Sequence, residues 1–307
     1  MGTRWSVLCD LDPAHDRAAL HQDLAAAVAR VDQQMSPWKP DSDLTRLNRA
    51  PPGAWVTLPT DITTVLAYAL DVARQSDGAF DPTVGALVDA WGFGATRNEP
   101  DADAIRMATR DDHRPTHRGL ELDAANGRLR KHAPLHIDLC GIAKGYAVDR
   151  MVEVLQRHRV RHALVALDGE LRALGHQADG KPWALALESP DTSQRAAHGV
   201  LELQDLAVAT SGDYRHFVQV GNERLAHTMD PRRAAPVRNG LASVTVLARE
   251  CVRADAWATA LLVAGADQGL AMAQRLGLEA LFLLRRAGGL VELGLGRFDA
   301  RAADPRG

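Results

Sequence analysis

Asp255 and Thr259 stand four residues apart in a predicted helix over Ala254–Val263, so their side chains leave the same face. A carboxylate and a hydroxyl are hard oxygen donors of the kind Mg²⁺ accepts, together with carbonyls, water and phosphate. The same pair also reads as an aspartate favouring a positive helix start and a threonine that simply packs. A second candidate is His136 to Asp149, H-I-D-L-C-G-I-A-K-G-Y-A-V-D. Leu135 and Ile137 alternate with polar positions, which suits a strand end. Cys140-Gly141 then turns the chain into a helix whose apolar residues run on through Met151, Val152, Val154 and Leu155. The first N–H groups of such a helix lack intrahelical partners and its dipole favours an anion. Lys144 sits in that first turn, where the dipole disfavours a cation, so it reads either as a phosphate partner or as an exposed lysine. His227 and Asp230 precede Pro231; the histidine suits a general base near neutral pH or a hydrogen-bonded structural role. Arg232 reads equally as a phosphate contact and as a surface ion pair.

The elements that must position these residues are legible in part. Arg4–Leu11 reads as a strand. A helix opens at Pro13 and reaches about Gln34, with Leu20, Leu24, Val28 and Val31 as its buried stripe. The prolines of Met35–Pro40 make an ordered loop carrying Trp38, followed by a short helix near Asp41–Leu47. Trp55–Leu58 is a short strand, and Thr60–Ser76 a helix that Asp77-Gly78 ends. Gly78–Gly94 reads as a core loop. Glu99–Thr116 is a surface excursion with a helix near Asp101–Ala108. Leu120–Asp123 and Arg128–Lys131 flank the hairpin signal Asn126-Gly127. Ala163–Leu167 and Leu171–Leu174 are strands broken at Asp168-Gly169; Trp183–Leu187 and Val200–Leu203 are further strands. Ala207–Thr210, the hairpin Phe217–Val220 and Glu223–Thr228 around Gly221-Asn222, and Ser243–Leu247 continue the sheet. Helices over Ala254–Val263 and Asp267–Leu276 precede the last strands, Glu279–Leu284 and Leu290–Leu293. Hairpins interrupt any βαβ order, which favours α+β with a mixed, largely antiparallel sheet flanked by helices over a doubly wound fold.

The 307 residues suffice for a buried core, and the 46% apolar and 24% charged content is ordinary for a globular protein. A formal charge of −3 offers no argument for nucleic acid. Cys9, Cys140 and Cys251 are widely spaced without C-x-x-C, against a zinc site or a disulfide scaffold. Cys140 lies in the turn with no partner to make it a nucleophile. No apolar run approaches the roughly 18 residues of a membrane helix. No G-x-G-x-x-G follows a strand, which disfavours FAD as a bound electron carrier.

The stretch around Asp138–Asp149 resembles the I-D-L-S-G-I-A-K-G-Y-A-V-D signature of the FAD:protein FMN transferases, the ApbE family. Met1-Gly2-Thr3, Met35–Asn48, Gly78–Gly85, Ala209–Tyr214, His227–Val237 and Ala254–Leu261 match the same family in the same order. The resemblance covers nearly the whole chain. It implies an ApbE-like fold over residues 1–307, as one domain or two lobes, with a frayed tail over 300–307 and a nucleotide bound in a crevice. It assigns Met1, Trp38, Ala79, Phe80, Asp81, Asp138, Lys144, His227 and Met229 to the FAD site, with Trp38 against the flavin nucleotide. Asp255, Thr259 and the backbone carbonyl of Gly141 become the Mg²⁺ ligands, His227 and Asp230 the catalytic residues, and Cys140, where the family usually has a small residue such as serine, a small buried filler. The implied reaction transfers FMN from FAD to a threonine or serine hydroxyl of a partner flavoprotein and releases AMP. An FAD pyrophosphatase and a non-catalytic flavin-binding or trafficking protein are the alternatives.

The chain departs from the family at three places. Ala258 stands where some members carry a second aspartate, Asp168 replaces a glycine, and Arg233-Ala234 replaces Thr-Gly. Many members carry an export segment ahead of M-G-T. Its absence here points to a cytoplasmic protein, or to a periplasmic or membrane-anchored one if an upstream segment was lost.

Overall fold

The computed structural model describes residues 3–96, 98–110, 116–188, 197–212, 217–220, 223–286 and 289–299. Met1, Asp213-Tyr214, the Gly221-Asn222 turn and the tail over 300–307 lie outside the described residues. The chain begins with β1 (Trp5–Cys9), α1 (Arg17–Met35), α2 (Asp43–Arg49), β2 (Trp55–Thr57) and α3 (Thr60–Gln75). Next come α4 (Gly85–Ala90), α5 (Ala102–Ala108), β3 (Leu120–Asp123), β4 (Arg128–Lys131) and α6 (Ala143–Arg157). Then follow β5 (Ala163–Leu167), β6 (Glu170–Leu174), β7 (Trp183–Glu188), β8 (Ala197–Leu203) and β9 (Ala207–Gly212). The remainder is β10 (Phe217–Val220), β11 (Glu223–Ala226), β12 (Met229–Asp230), β13 (Ala235–Pro236), β14 (Leu241–Ala248), α7 (Cys251–Leu276), β15 (Glu279–Arg286) and β16 (Gly289–Leu295).

Seven strands form the central sheet in the order β1-β5-β6-β9-β14-β15-β16. Every described strand pairing is antiparallel, and the one parallel contact is an isolated bridge between Val84 and His136. The fold is therefore α+β with an antiparallel sheet flanked by helices. β14 is buried from Leu241 to Leu247, because both its faces are covered. Helices α6 and α7 pack against each other and over one face, with α1 behind α6. Leu201 and Leu203 of the β7–β8 hairpin join Leu164, Ala173, Val208 and Leu247 in a second apolar cluster. The main core lies between α1, α3, α6, α7 and the sheet, around Phe282, Ile62, Leu66, Met151 and Leu155.

Several local expectations shift for identifiable reasons. α1 starts at Arg17 rather than Pro13, because the Asp16 carboxylate accepts from the N–H groups of Ala18 and Ala19 at 3.0 Å and caps it there. The predicted core loop contains α4. Leu135–Ile137 makes only the bridge at His136 instead of a strand, since Asn48 takes its backbone groups through both side-chain atoms at 2.8 Å. The two C-terminal helices are one interrupted element. Gly265 leaves helical geometry (φ 81°, ψ 174°), and the Asn239 side-chain amide donates to the Leu262 carbonyl beside the break at 2.7 Å. Among the described residues no helix is long and apolar enough to cross a membrane.

Candidate active site

Helices α6 and α7 approach so closely that Gly145 has no room for a side chain. A Cβ there would lie 2.3 Å from the Cys251 carbonyl oxygen and 2.8 Å from Cβ of Asp255. At this contact the Gly145 N–H donates to the Asp255 carboxylate at 2.8 Å. The helix start predicted to attract an anion thus meets one from within the chain, the predicted metal ligand itself. Asp149, the last residue of the signature, secures the same contact from the other side. Its carboxylate accepts from the N–H groups of Cys251 at 3.0 Å and Val252 at 2.9 Å, capping α7, and pairs with Arg172. Gly141 lies beside Thr259: a Cβ on it would sit 3.1 Å from the threonine hydroxyl. Ser211 of β9 brings a second hydroxyl 3.1 Å from that of Thr259.

Lys144 reaches β6. Its ammonium lies 2.7 Å from the Glu170 carboxylate and 3.8 Å from that of Asp168. Burial alone would lower the lysine pKa, but Glu170, Asp255 and Asp168 together raise it, so Lys144 is a permanent cation. Asp255 and Glu170 are themselves pushed above the ordinary carboxylate range, foremost by burial; Glu170 is also raised by the nearby charge of Asp255, and Lys144 opposes the shift in both.

These groups open into one crevice of about 1320 Å³. Trp38, Ala79, Phe80, Asp81, Asp138, Gly141, Lys144, His227, Met229, Asp255 and Thr259 all line it. Trp38 is 59% exposed at its rim, whereas Phe80 and Met229 are buried in its wall. His227 packs edge-on against Phe93, with ring centroids 6.4 Å apart. Asp230 is not among the lining residues. It is buried, and its carboxylate accepts from the backbone N–H of Arg232 at 3.0 Å and from its guanidinium at 3.2 Å. The same arginine donates to Gln268 and to the Val263 carbonyl, so the ion-pair reading of Arg232 describes its place here. The Asp81 carboxylate is likewise engaged, by Thr83 on one oxygen and the His117 backbone N–H on the other. Asp138 accepts from the Cys140 N–H at 2.7 Å.

Cys140 is exposed, not a buried filler, because its turn faces the crevice. Protein crowded around the sulfur and the adjacent Asp138 carboxylate raise its thiol well above the ordinary value, the opposite of an activated thiolate. Ala258 is fully buried in the main core. The other two departures keep glycine-like backbone without glycine: Asp168 has φ 57° and Ala234 φ 52°. Glu170, Ser211 and the capping role of Asp149 carry no local sequence signal. They become visible only when β6, β9 and α6 are set against α7.

The donors near Thr259 suit a hard divalent cation. The Thr259 hydroxyl has the Ser211 hydroxyl beside it and the Asp255 carboxylate one turn away on α7, all oxygen donors.

The architecture is that of the flavin transferases. The structure superposes on the apo flavinyl transferase ApbE of Pseudomonas stutzeri with a TM-score of 0.87 at 35% identity, covering 97% of this chain and 93% of the other. The flavin transferase ApbE of Vibrio cholerae gives a TM-score of 0.88 at 32% identity, covering 97% of this chain and 95% of the other. In sequence, the FAD:protein FMN transferase of Vibrio cholerae is 34% identical over 295 residues, 95% of this chain and 87% of the relative. That of Haemophilus influenzae is 34% identical over 279 residues, 88% of this chain and 80% of the relative. The ApbE family model matches residues 1–282, and the chain belongs to the ApbE family.

Proposed function

We propose that this enzyme, a flavin transferase by family, moves FMN from FAD to a threonine or serine hydroxyl of a partner flavoprotein with the help of Mg²⁺. The observation that carries the reading is the convergence in one crevice of an oxygen-donor cluster, a permanent cation, aromatic surface and a histidine. Trp38 and Phe80 offer the flat apolar surface that a flavin or adenine ring requires. Lys144 faces the pyrophosphate. Asp255, Thr259 and the Gly141 carbonyl hold the cation, which when bound neutralises charge on the pyrophosphate oxygens. Ala258, buried in the core, leaves one carboxylate fewer than some relatives have. His227 receives the proton of the attacking hydroxyl. The new bond joins that oxygen to the phosphorus on the flavin side, the P–O bond to the adenylate side breaks, and AMP leaves.

Mass spectrometry after incubation with FAD, Mg²⁺ and a threonine-bearing acceptor domain tests this. The expected product is the acceptor carrying FMN, with AMP released and EDTA abolishing both. Free FMN and AMP with an unlabelled acceptor would replace the transferase by a pyrophosphatase. Intact bound FAD with no AMP would reduce the chain to a flavin-binding protein.

A further inference from the structure

Glu170 is 2% exposed, yet it borders the crevice. One of its oxygens holds the Lys144 ammonium at 2.7 Å. The other, Oε2, is buried and has no hydrogen-bond partner among the described residues. A buried carboxylate oxygen left without a donor is costly, and native structures rarely keep one unless something else supplies the donor. Its surroundings show where the donor comes from. Glu170 pairs with Ala209 across β6 and β9, and Ser211, two residues along β9, shares that face of the sheet. Ser211 in turn meets the Thr259 hydroxyl of α7. Glu170 therefore lies on the sheet face that carries the proposed cation donors, in the wall of the proposed nucleotide crevice, with its second oxygen just beneath the surface.

We propose that Glu170 is a ligand-binding and positioning residue: Oε1 fixes Lys144 at the crevice, and Oε2 accepts a hydrogen bond from an O–H group that arrives with the occupant. In its charged form, which the Lys144 ammonium favours, the carboxylate repels a phosphate oxygen, so the partner is a donor. Two sources bring that chemistry, a sugar or ribityl hydroxyl of the flavin nucleotide and a water on the divalent cation. The inference rests on the FAD-binding reading above.

Glu170→Gln keeps the size of the side chain and removes one acceptor oxygen. FAD affinity is measured by flavin fluorescence in EDTA, and Mn²⁺ affinity by electron paramagnetic resonance without FAD, on wild type and variant. A loss of about tenfold or more in FAD affinity alone identifies the nucleotide hydroxyl as the donor. A comparable loss in Mn²⁺ affinity alone identifies the metal-bound water. In a cycle with Lys144→Met, either loss is expected to be non-additive, because the two side chains act as one unit. Wild-type and Gln variants that bind both FAD and Mn²⁺ equally well overturn the role of Glu170. Wild type that binds no FAD overturns the functional reading instead. Glu170→Asp, which keeps the charge but shortens the side chain, serves if the Gln variant fails to fold; unchanged affinities in it likewise overturn the role.

Discussion

The floor and the rim of the crevice are built differently. On the floor each polar group is held by a distant part of the chain: Gly145 by Asp255, Lys144 by Glu170, and the start of α7 by Asp149. Asp255, Glu170 and Asp149 are buried there, and the helices touch through a position where no side chain fits. At the rim the turn geometry is local, although Arg232 also reaches α7 at Val263 and Gln268. Asp230 binds its near neighbour Arg232, and β12 pairs with β13 through a four-residue turn containing Ala234 in the left-handed region. Trp38 stands largely in solvent. The floor therefore has one arrangement enforced from several sides, and the rim combines a local turn with a few ties to α7 and α4. Substitutions on the floor should cost both stability and chemistry, and those at the rim mainly one or the other.

The sharpest test of this contrast is Asp255→Ala, expected to lower FMN transfer by at least about a hundredfold while far-ultraviolet circular dichroism stays native. Full activity would remove Asp255 from the chemistry. Asp149→Ala leaves Arg172 without its buried partner and two helix N–H groups uncapped. Urea unfolding should show a loss of about 3 kcal/mol or more; a value near zero would show that α7 needs no cap. Gly145→Ala should cost about 1–3 kcal/mol by forcing the helices apart and should weaken Mg²⁺ binding with it. Stability retained together with lost metal binding would separate the two effects.

Acidity gives a test in the same region. Asp255 and Glu170 have folded-state pKa values above their unfolded ones. The native state therefore holds more protons than the unfolded state between the two values, and stability falls as pH rises through the raised ones. The free protein should lose thermal stability from the ordinary carboxylate range towards neutrality, and Mg²⁺ should restore part of it. A melting temperature flat across that range would contradict the burial of these charges. The smallest effect belongs to the rim. Ala234→Gly should stabilise the protein by about 1 kcal/mol, the approximate cost of a side chain in left-handed backbone, with activity unchanged. Differential scanning calorimetry would detect it.

Much of the fold was readable from local pattern. β3 and β4 fall on their expected residues, and α3 ends where Asp77-Gly78 marked it, with Gly78 N–H on the Ala73 carbonyl. These elements are set by signals within a few residues. The order of the sheet was not readable, because β1 pairs with β5 and β9 with both β6 and β14 across long intervening stretches. α4 was hidden in a glycine- and aromatic-rich run with too little helical period. The site divides in the same way. Asp255 with Thr259, and Lys144 in its turn, stood out through spacing or context along the chain. Glu170 fell just ahead of the expected strand Leu171–Leu174 with no signal of its own, and only its position beside Lys144 distinguishes it. Cys140 was misplaced because residue size says nothing about which side of a turn faces a crevice.

The contact between Gly145 and Asp255 joins positions 110 residues apart. A ribosome-bound chain that has completed α6 still lacks α7, so the oxygen cluster does not exist during most of synthesis. The first strand also waits, since its sheet partner among the described residues spans Ala163–Leu167. Topologies closed by such late, long-range pairings fold slowly. The crevice is thus among the last parts of the molecule to mature, and a truncated or stalled chain lacks its floor.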